Sequence, residues 1–150
     1  MGLFSSDDDK AESQVKFSHP VDPNWVRTPE GKFLPLLSLD PEELGLSNVG
    51  GVYLVWHAGV KPEWVYTGHT NDLAAALHHA GNNPEINYYE RNGGLFVAWA
   101  PVKEPYRPGV VKYIQENFHT VVENPSDFKD TTVPIPVVPP VAKKKTGLLR

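Results

Sequence analysis

A chain of 150 residues with 40% hydrophobic content can fold as one domain of ordinary size with extensions, and is too short for a second full domain. It contains no cysteine, which excludes disulfides, thiolate metal sites and a cysteine nucleophile. The formal charge of −4 is uneven: residues 1–44 carry four Lys/Arg and nine Asp/Glu, residues 45–125 carry five and seven, and residues 126–150 carry five and two. The middle of the chain is therefore mildly acidic, without the obvious basic face on which a phosphate-gripping surface depends.

Residues 1–15 are polar and acidic and read as a disordered leader. Gly2 and Ser6 fit the N-myristoylation pattern, set against a simple frayed terminus. The start has no basic-then-apolar signal, and no run approaches the roughly 20 apolar residues of a spanning helix, so the expectation is a cytoplasmic protein without a membrane span. Residues 16–47 form an extended proline-rich arm, in which Phe17, Trp25, Phe33 and Leu36 alternate with prolines that block helix and central strand. Trp25, Phe33 and Leu36 are expected to pack on the domain. Within the arm, Ser38–Gly45 reads as a short helix, with Asp40 as N-cap, Pro41 at the first helical position, Glu42 and Glu43 in the first turn, and Gly45 as the stop.

Gly51–His57 is the first strand, with Tyr53 and Val55 on one face and Val52, Leu54 and Trp56 on the other. A connection with a glycine and a proline leads to a second strand, Trp64–Thr67, which Gly68 releases into a loop. The next segment is helical: Thr70 or Asn71 caps it, Asp72 lies in the first turn, alanines fill it, and Gly81-Asn82-Asn83-Pro84 stops it. Gly94–Ala100 is a third strand, and Val110, Tyr113, Ile114 and Phe118 are spaced for an amphipathic helix. Residues 48–124 thus form a small α+β domain, a three-stranded antiparallel sheet flanked by helices. Residues 125–150 read as a tail, with a polyproline stretch Val133–Pro140 and a basic tip Lys143–Lys145; it is a docking ligand, an anionic-surface contact or a solubilising extension.

Gly51-Val52-Tyr53, then Tyr66-Thr67-Gly68, then a helix: this order and spacing resemble the GIY-YIG nuclease family over about half the chain. The resemblance implies that Tyr53 and Tyr66 line a cleft, one of them assisting deprotonation of the attacking water, with Gly68 permitting a tight turn. It also implies an arginine about eight positions beyond that glycine, to stabilise the scissile phosphate, and a glutamate on the later helix, to hold a divalent metal. The arginine register falls on Ala76, and no arginine lies between Gly68 and Arg91. The glutamate register, aligned on Tyr113-Ile114, falls on Val110, which has no oxygen ligand to offer. Glu104 lies before Pro108 and Glu116 lies almost two turns later.

His57, His69, His78 and His79 form no His-Glu-x-x-His arrangement, and adjacent helical histidines point about 100° apart. The expected binding cleft is Tyr53, Tyr66, Gly68, His69 and Asn71; were the protein active, Tyr53, Tyr66, His69 and His78 would be the catalytic candidates. No metal site and no cofactor are expected, magnesium or manganese entering only under the nuclease reading. The favoured function is a non-catalytic interaction or assembly module with a protein partner. The alternatives are a divergent metal-dependent endonuclease, or an inert nucleic-acid binder using Trp64, Tyr88, Tyr89 and the Lys143–Lys145 tip.

Overall fold

Residues 19–141 are described by a computed structural model; the leader with Gly2 and Ser6, Phe17, and the basic tip Lys143–Lys145 lie outside the described residues. The sheet contains β1 (Leu34–Pro35), β2 (Gly51–His57), β3 (Glu63–Thr70) and β4 (Leu95–Ala100) in spatial order β1-β4-β2-β3, every pairing antiparallel. The helices are α1 (Leu73–Asn82), α2 (Pro84–Asn87) and α3 (Arg107–Ile114). The α+β class is as expected, but the sheet has four strands, not three. The extra strand is two residues of the proline-rich arm. Pro35 has no N–H to give a ladder, which confines it to an edge. The arm is tied further along β4 by Leu36 N–H to Leu95 O (2.8 Å) and Val26 N–H to Trp99 O (2.8 Å).

Every residue of β2 is buried, because β2 has a strand on each side and packed structure on both faces. Val52, Leu54 and Trp56 join Val110, Val111 and Ile114 of α3 in one core, while Tyr53 and Val55 join Leu73, Ala74 and Leu77 of α1 in the other. At Val55/Trp56 the register slips, leaving Val65 of β3 as the extra residue of a bulge.

α1 buries Leu73, Ala74, Leu77 and Ala80, a single stripe at helical spacing. Its N-cap is Asp72, not Thr70 or Asn71: the Asp72 carboxylate accepts from Ala75 N–H (3.3 Å) and from Asn48 N–H (3.1 Å). Asn83 then caps the next helix, accepting from Glu85 N–H (2.8 Å), with Pro84 behind it at the helix start. The expected helix at Ser38–Gly45 is a single turn. Leu46 N–H reaches Pro41 O (3.0 Å) and Gly45 N–H reaches Glu42 O (3.0 Å), the paired bonds of a Schellman closure, and Gly45 has the positive φ of 78° that closure requires.

α3 starts three residues earlier than its apolar spacing suggests, because Pro108 supplies the pre-set φ of a first turn. It ends at Ile114 and widens into a π-turn, Gln115–His119. Beyond it the chain does not behave as a loose tail. Ile135 and Val137 are buried, Ile135 N–H donates to Gly109 O (3.0 Å), and Val21 and Val137 form a parallel bridge. Trp25 Nε1–H donates to Val138 O at 2.8 Å. Trp25 and Leu36 pack in the core as expected, and Phe33 is half-buried against Trp56. No helix among the described residues is long and apolar enough to cross a membrane.

Among the described residues, Thr120 Oγ1 is the sealed side-chain polar atom that lacks a hydrogen-bond partner. A buried hydroxyl without a partner keeps its desolvation cost and returns nothing. Thr120→Val is therefore expected to raise stability by about 1 kcal/mol, read as a higher urea midpoint at unchanged slope.

Candidate functional site

Strand alternation decides which candidate residues can meet. Tyr53 lies opposite Gly68, and Val55 opposite Tyr66, so both tyrosines and the glycine share the α1 face of the sheet. His69 lies opposite Val52 and so belongs to the α3 face. The tyrosine rings sit with centroids 6.2 Å apart at 38°. Gly68 is inside β3, not at a strand end as the sequence suggested. A Cβ there would stand 2.7 Å from Tyr53 Oη, 2.9 Å from its Cζ and 3.0 Å from Asn124 Nδ2, so the missing side chain is the space Tyr53 occupies.

β3 is an edge strand, and an open edge would expose a row of unpaired amides and carbonyls. Residues 121–127 cover it. Val121 N–H donates to Trp64 O (3.0 Å) and Val122 N–H to Val65 O (2.9 Å). Side chains then continue where backbone stops: Asn124 Nδ2 donates to Thr67 O (3.0 Å), and Asp127 Oδ2 accepts from His69 N–H (2.9 Å) and from Asn124 Nδ2 (2.9 Å). His69 Nε2 donates to Asp127 O (2.9 Å). Asn124, buried itself, is held by its own N–H to Gln115 Oε1 (2.6 Å).

Burial and the Asp127 carboxylate set the electrostatics. Burial first, then the charge of Tyr66 and of Asp127, pushes the Tyr53 hydroxyl far above its ordinary range, and the Tyr53 O–H donates to the Tyr66 hydroxyl. Burial and Asp127 also raise Tyr66, the hydrogen bond from Tyr53 opposing them in part. A tyrosine that assists deprotonation needs the opposite, a phenol readily ionised near the working pH. The raised values have a consequence at high pH. Below the ordinary tyrosine value of about 10 both states keep the proton; above it the unfolded chain ionises while the folded one does not, so stability falls as pH rises. Tyr53 accounts for up to about 1.4 kcal/mol per pH unit there. Thermal melts between about pH 9 and about pH 11 are expected to show this loss, with a shallower slope in Tyr53→Phe.

The other sequence candidates lie apart. His78 stands on the outer side of α1, its Nε2 2.9 Å from Glu42 Oε1, both side chains about half exposed. His79 is exposed as well. Asn71 is exposed and accepts from Arg107 Nη1 (2.8 Å). His57 is buried at 1% exposure: its Nδ1 accepts from Gly59 N–H (3.2 Å), which leaves Nε2–H to meet Glu63 Oε1 (2.9 Å). Ala76 is half-buried and packs against the α1 core, whereas Val110 is 0% exposed in the α3 core. Arg107 was not a sequence candidate; its guanidinium donates to Val102 O (2.7 Å) and Thr70 O (3.3 Å) as well as Asn71. Among the described residues no lysine or arginine hydrogen-bonds either tyrosine, and no three His, Cys, Asp or Glu groups converge to hold a metal ion. The donor set does not fit a divalent cation: Asp127 is the carboxylate beside the tyrosines, and its Oδ2 is taken by two N–H donors.

Asp127 and Asn124 were missed because they fall at or beyond the presumed end of the domain, 58 and 57 residues from the strand atoms they bind. The signal available was the Asn-Pro-Ser-Asp run at 124–127, a typical side-chain-to-backbone bonding cluster. Compared with known proteins, the chain matches no family model, no curated protein and no solved structure.

Proposed function

We propose that the chain is a non-catalytic, protein-binding module on a degenerate GIY-YIG-like scaffold. The observation that carries this reading is the state of the tyrosine pair. Two phenols held protonated, hydrogen-bonded to one another and flanked by a carboxylate on a closed strand edge, offer neither a base nor a positive charge to a phosphodiester. The register positions of the family arginine and glutamate, Ala76 and Val110, support the same reading.

The rival, a divergent metal-dependent endonuclease, draws on one observation, the Asp127 carboxylate near both hydroxyls. The test is incubation of the purified chain with plasmid DNA and with RNA in magnesium or manganese, beside Tyr53→Phe. We expect no cleavage by either; cleavage that Tyr53→Phe abolishes overturns the reading. Inert nucleic-acid binding is disfavoured because Trp64 is only 6% exposed, Tyr89 stacks on His57, and Tyr88 already carries the Arg91 guanidinium over its ring at 4.3 Å.

A further inference from the structure

A backbone amide that follows an asparagine can attack the asparagine side-chain carbonyl and close a five-membered ring, and it is least hindered when its own residue has no Cβ. In this chain that pairing occurs once, at Asn92-Gly93. Every other asparagine is followed by a residue with a side chain, and after Asn83 and Asn124 that residue is a proline with no N–H to lose. Asn92 and Gly93 lie in the turn before β4, beside a recess of about 580 Å³ that Lys61 and Arg91 also line. The fold leaves the pair unrestrained. Asn92 is half-buried, and neither its side-chain amide nor the Gly93 N–H has a hydrogen-bond partner among the described residues. Elsewhere bonds hold the reacting groups: Val49 N–H goes to Leu46 O (3.2 Å), Asn83 N–H to Ala80 O (3.2 Å), and the side-chain amides of Asn71, Asn87, Asn117 and Asn124 are bonded themselves.

We propose that Asn92 is a site of spontaneous deamidation, which puts an isoaspartyl link into this turn. The Gly93 nitrogen loses its proton to solvent hydroxide and bonds to Asn92 Cγ; the Cγ–Nδ2 bond breaks and ammonia leaves, giving a cyclic imide. Water then opens the ring at either carbonyl. Attack at Cγ restores the original main chain and leaves an aspartate. Attack at the main-chain carbonyl carbon leaves isoaspartate, with the chain routed through Cβ and Cγ and the former main-chain carbonyl turned into a free carboxylate.

The place of that new carboxylate decides what the modification does. The main-chain carbonyl of Asn92 packs so closely on Gly59 that a Cβ there would stand 2.6 Å from its oxygen. Gly59 N–H in turn donates to Nδ1 of the buried His57 (3.2 Å). Isoaspartate lengthens the main chain by a methylene group and sets a charge against this seam, so the Gly59 loop has to move away. Aspartate keeps the main-chain course and carries its charge on a side chain that faces the recess. The proposal stands apart from the protein-binding reading and does not depend on it.

The test holds the full chain for days in warm, mildly alkaline buffer made with heavy-oxygen water. The protein is then digested at acid pH and mapped by mass spectrometry with electron-transfer fragmentation, which separates isoaspartate from aspartate. Label is expected to enter at Asn92 at least about tenfold faster than at any other asparagine, and in both products. Asn92→Gln, whose longer side chain would need a larger ring, is expected to take up no label at that position. The Gly59 amide resonance is expected to shift in the purified isoaspartyl species and to keep its place in Asn92→Asp. Absence of label, label spread evenly over the asparagines, aspartate at position 92 without isoaspartate, or an unmoved Gly59 resonance in the isoaspartyl species overturns the proposal.

Discussion

Val110→Glu is expected to cost more than about 4 kcal/mol and to leave little folded protein, not to rebuild a metal site. Val110 is 0% exposed among Val52, Ala98, Val111 and Ile135. A carboxylate there would be sealed in a cluster of apolar side chains. It would either lose its charge, with its pKa driven up, or force the packing open. That cost consumes much of the roughly 5–15 kcal/mol that a domain of this size holds. Ala76→Arg is expected to behave differently, staying within about 1 kcal/mol of the unaltered chain, because a half-buried helix position lets a long side chain lead its charge to solvent. Urea melts of the two variants measure the contrast. A Val110→Glu chain that folds with near-normal stability and binds manganese would revive the nuclease reading.

Gly68→Ala is expected to lose about 2–4 kcal/mol, the second-largest effect. Its new methyl would come within 2.7 Å of Tyr53 Oη and 2.9 Å of Cζ, atoms of a rigid ring that β2 and α1 hold from behind. Moving the ring also disturbs Asn124, whose Nδ2 lies 3.0 Å from the same point and satisfies Thr67 O. Combining Gly68→Ala with Tyr53→Phe is expected to cost less than the sum of the two, since the phenylalanine removes the nearest clashing atom. Strict additivity in denaturant melts would show that the ring is not what fills the space at Gly68.

Much of this architecture is readable from residues. β2, β4, α1 and α3 have apolar spacing that fixes their type, and the facing of Tyr53 and Val55 against Val52, Leu54 and Trp56 follows from strand alternation alone. What escaped depends on distant partners. β1 exists only because β4 presents an open edge to Leu34 and Pro35, and a proline in a two-residue strand carries no local signal. The C-terminal segment hid its pattern behind prolines: Ile135 and Val137 alternate with Pro134 and Pro136, an inward-outward rhythm masked by residues that suggest a linker. The candidate site was half legible. Alternation could have separated His69 from Tyr66 once β3 was extended past Gly68, and the strand reading stopped two residues too soon to use it. Asp127 could not be reached this way, since only the folded path of residues 121–127 brings it to His69.

The seam between the arm and the C-terminal segment also orders events in time. Trp25 and Val138 are 113 residues apart, so joining them closes a loop that takes in most of the chain, whereas β2 and β3 meet across a short hairpin. Closure of so long a loop gives its entropic cost before its reward, which puts the seam late in folding, after the β2–β3–β4 sheet is in place. Interactions absent from the transition state govern how fast a protein comes apart, not how fast it forms. The Trp25 indole and the Val21–Val137 bridge are therefore expected to act as a latch on lifetime: without them the same sheet should assemble at the same speed but stay assembled for less time.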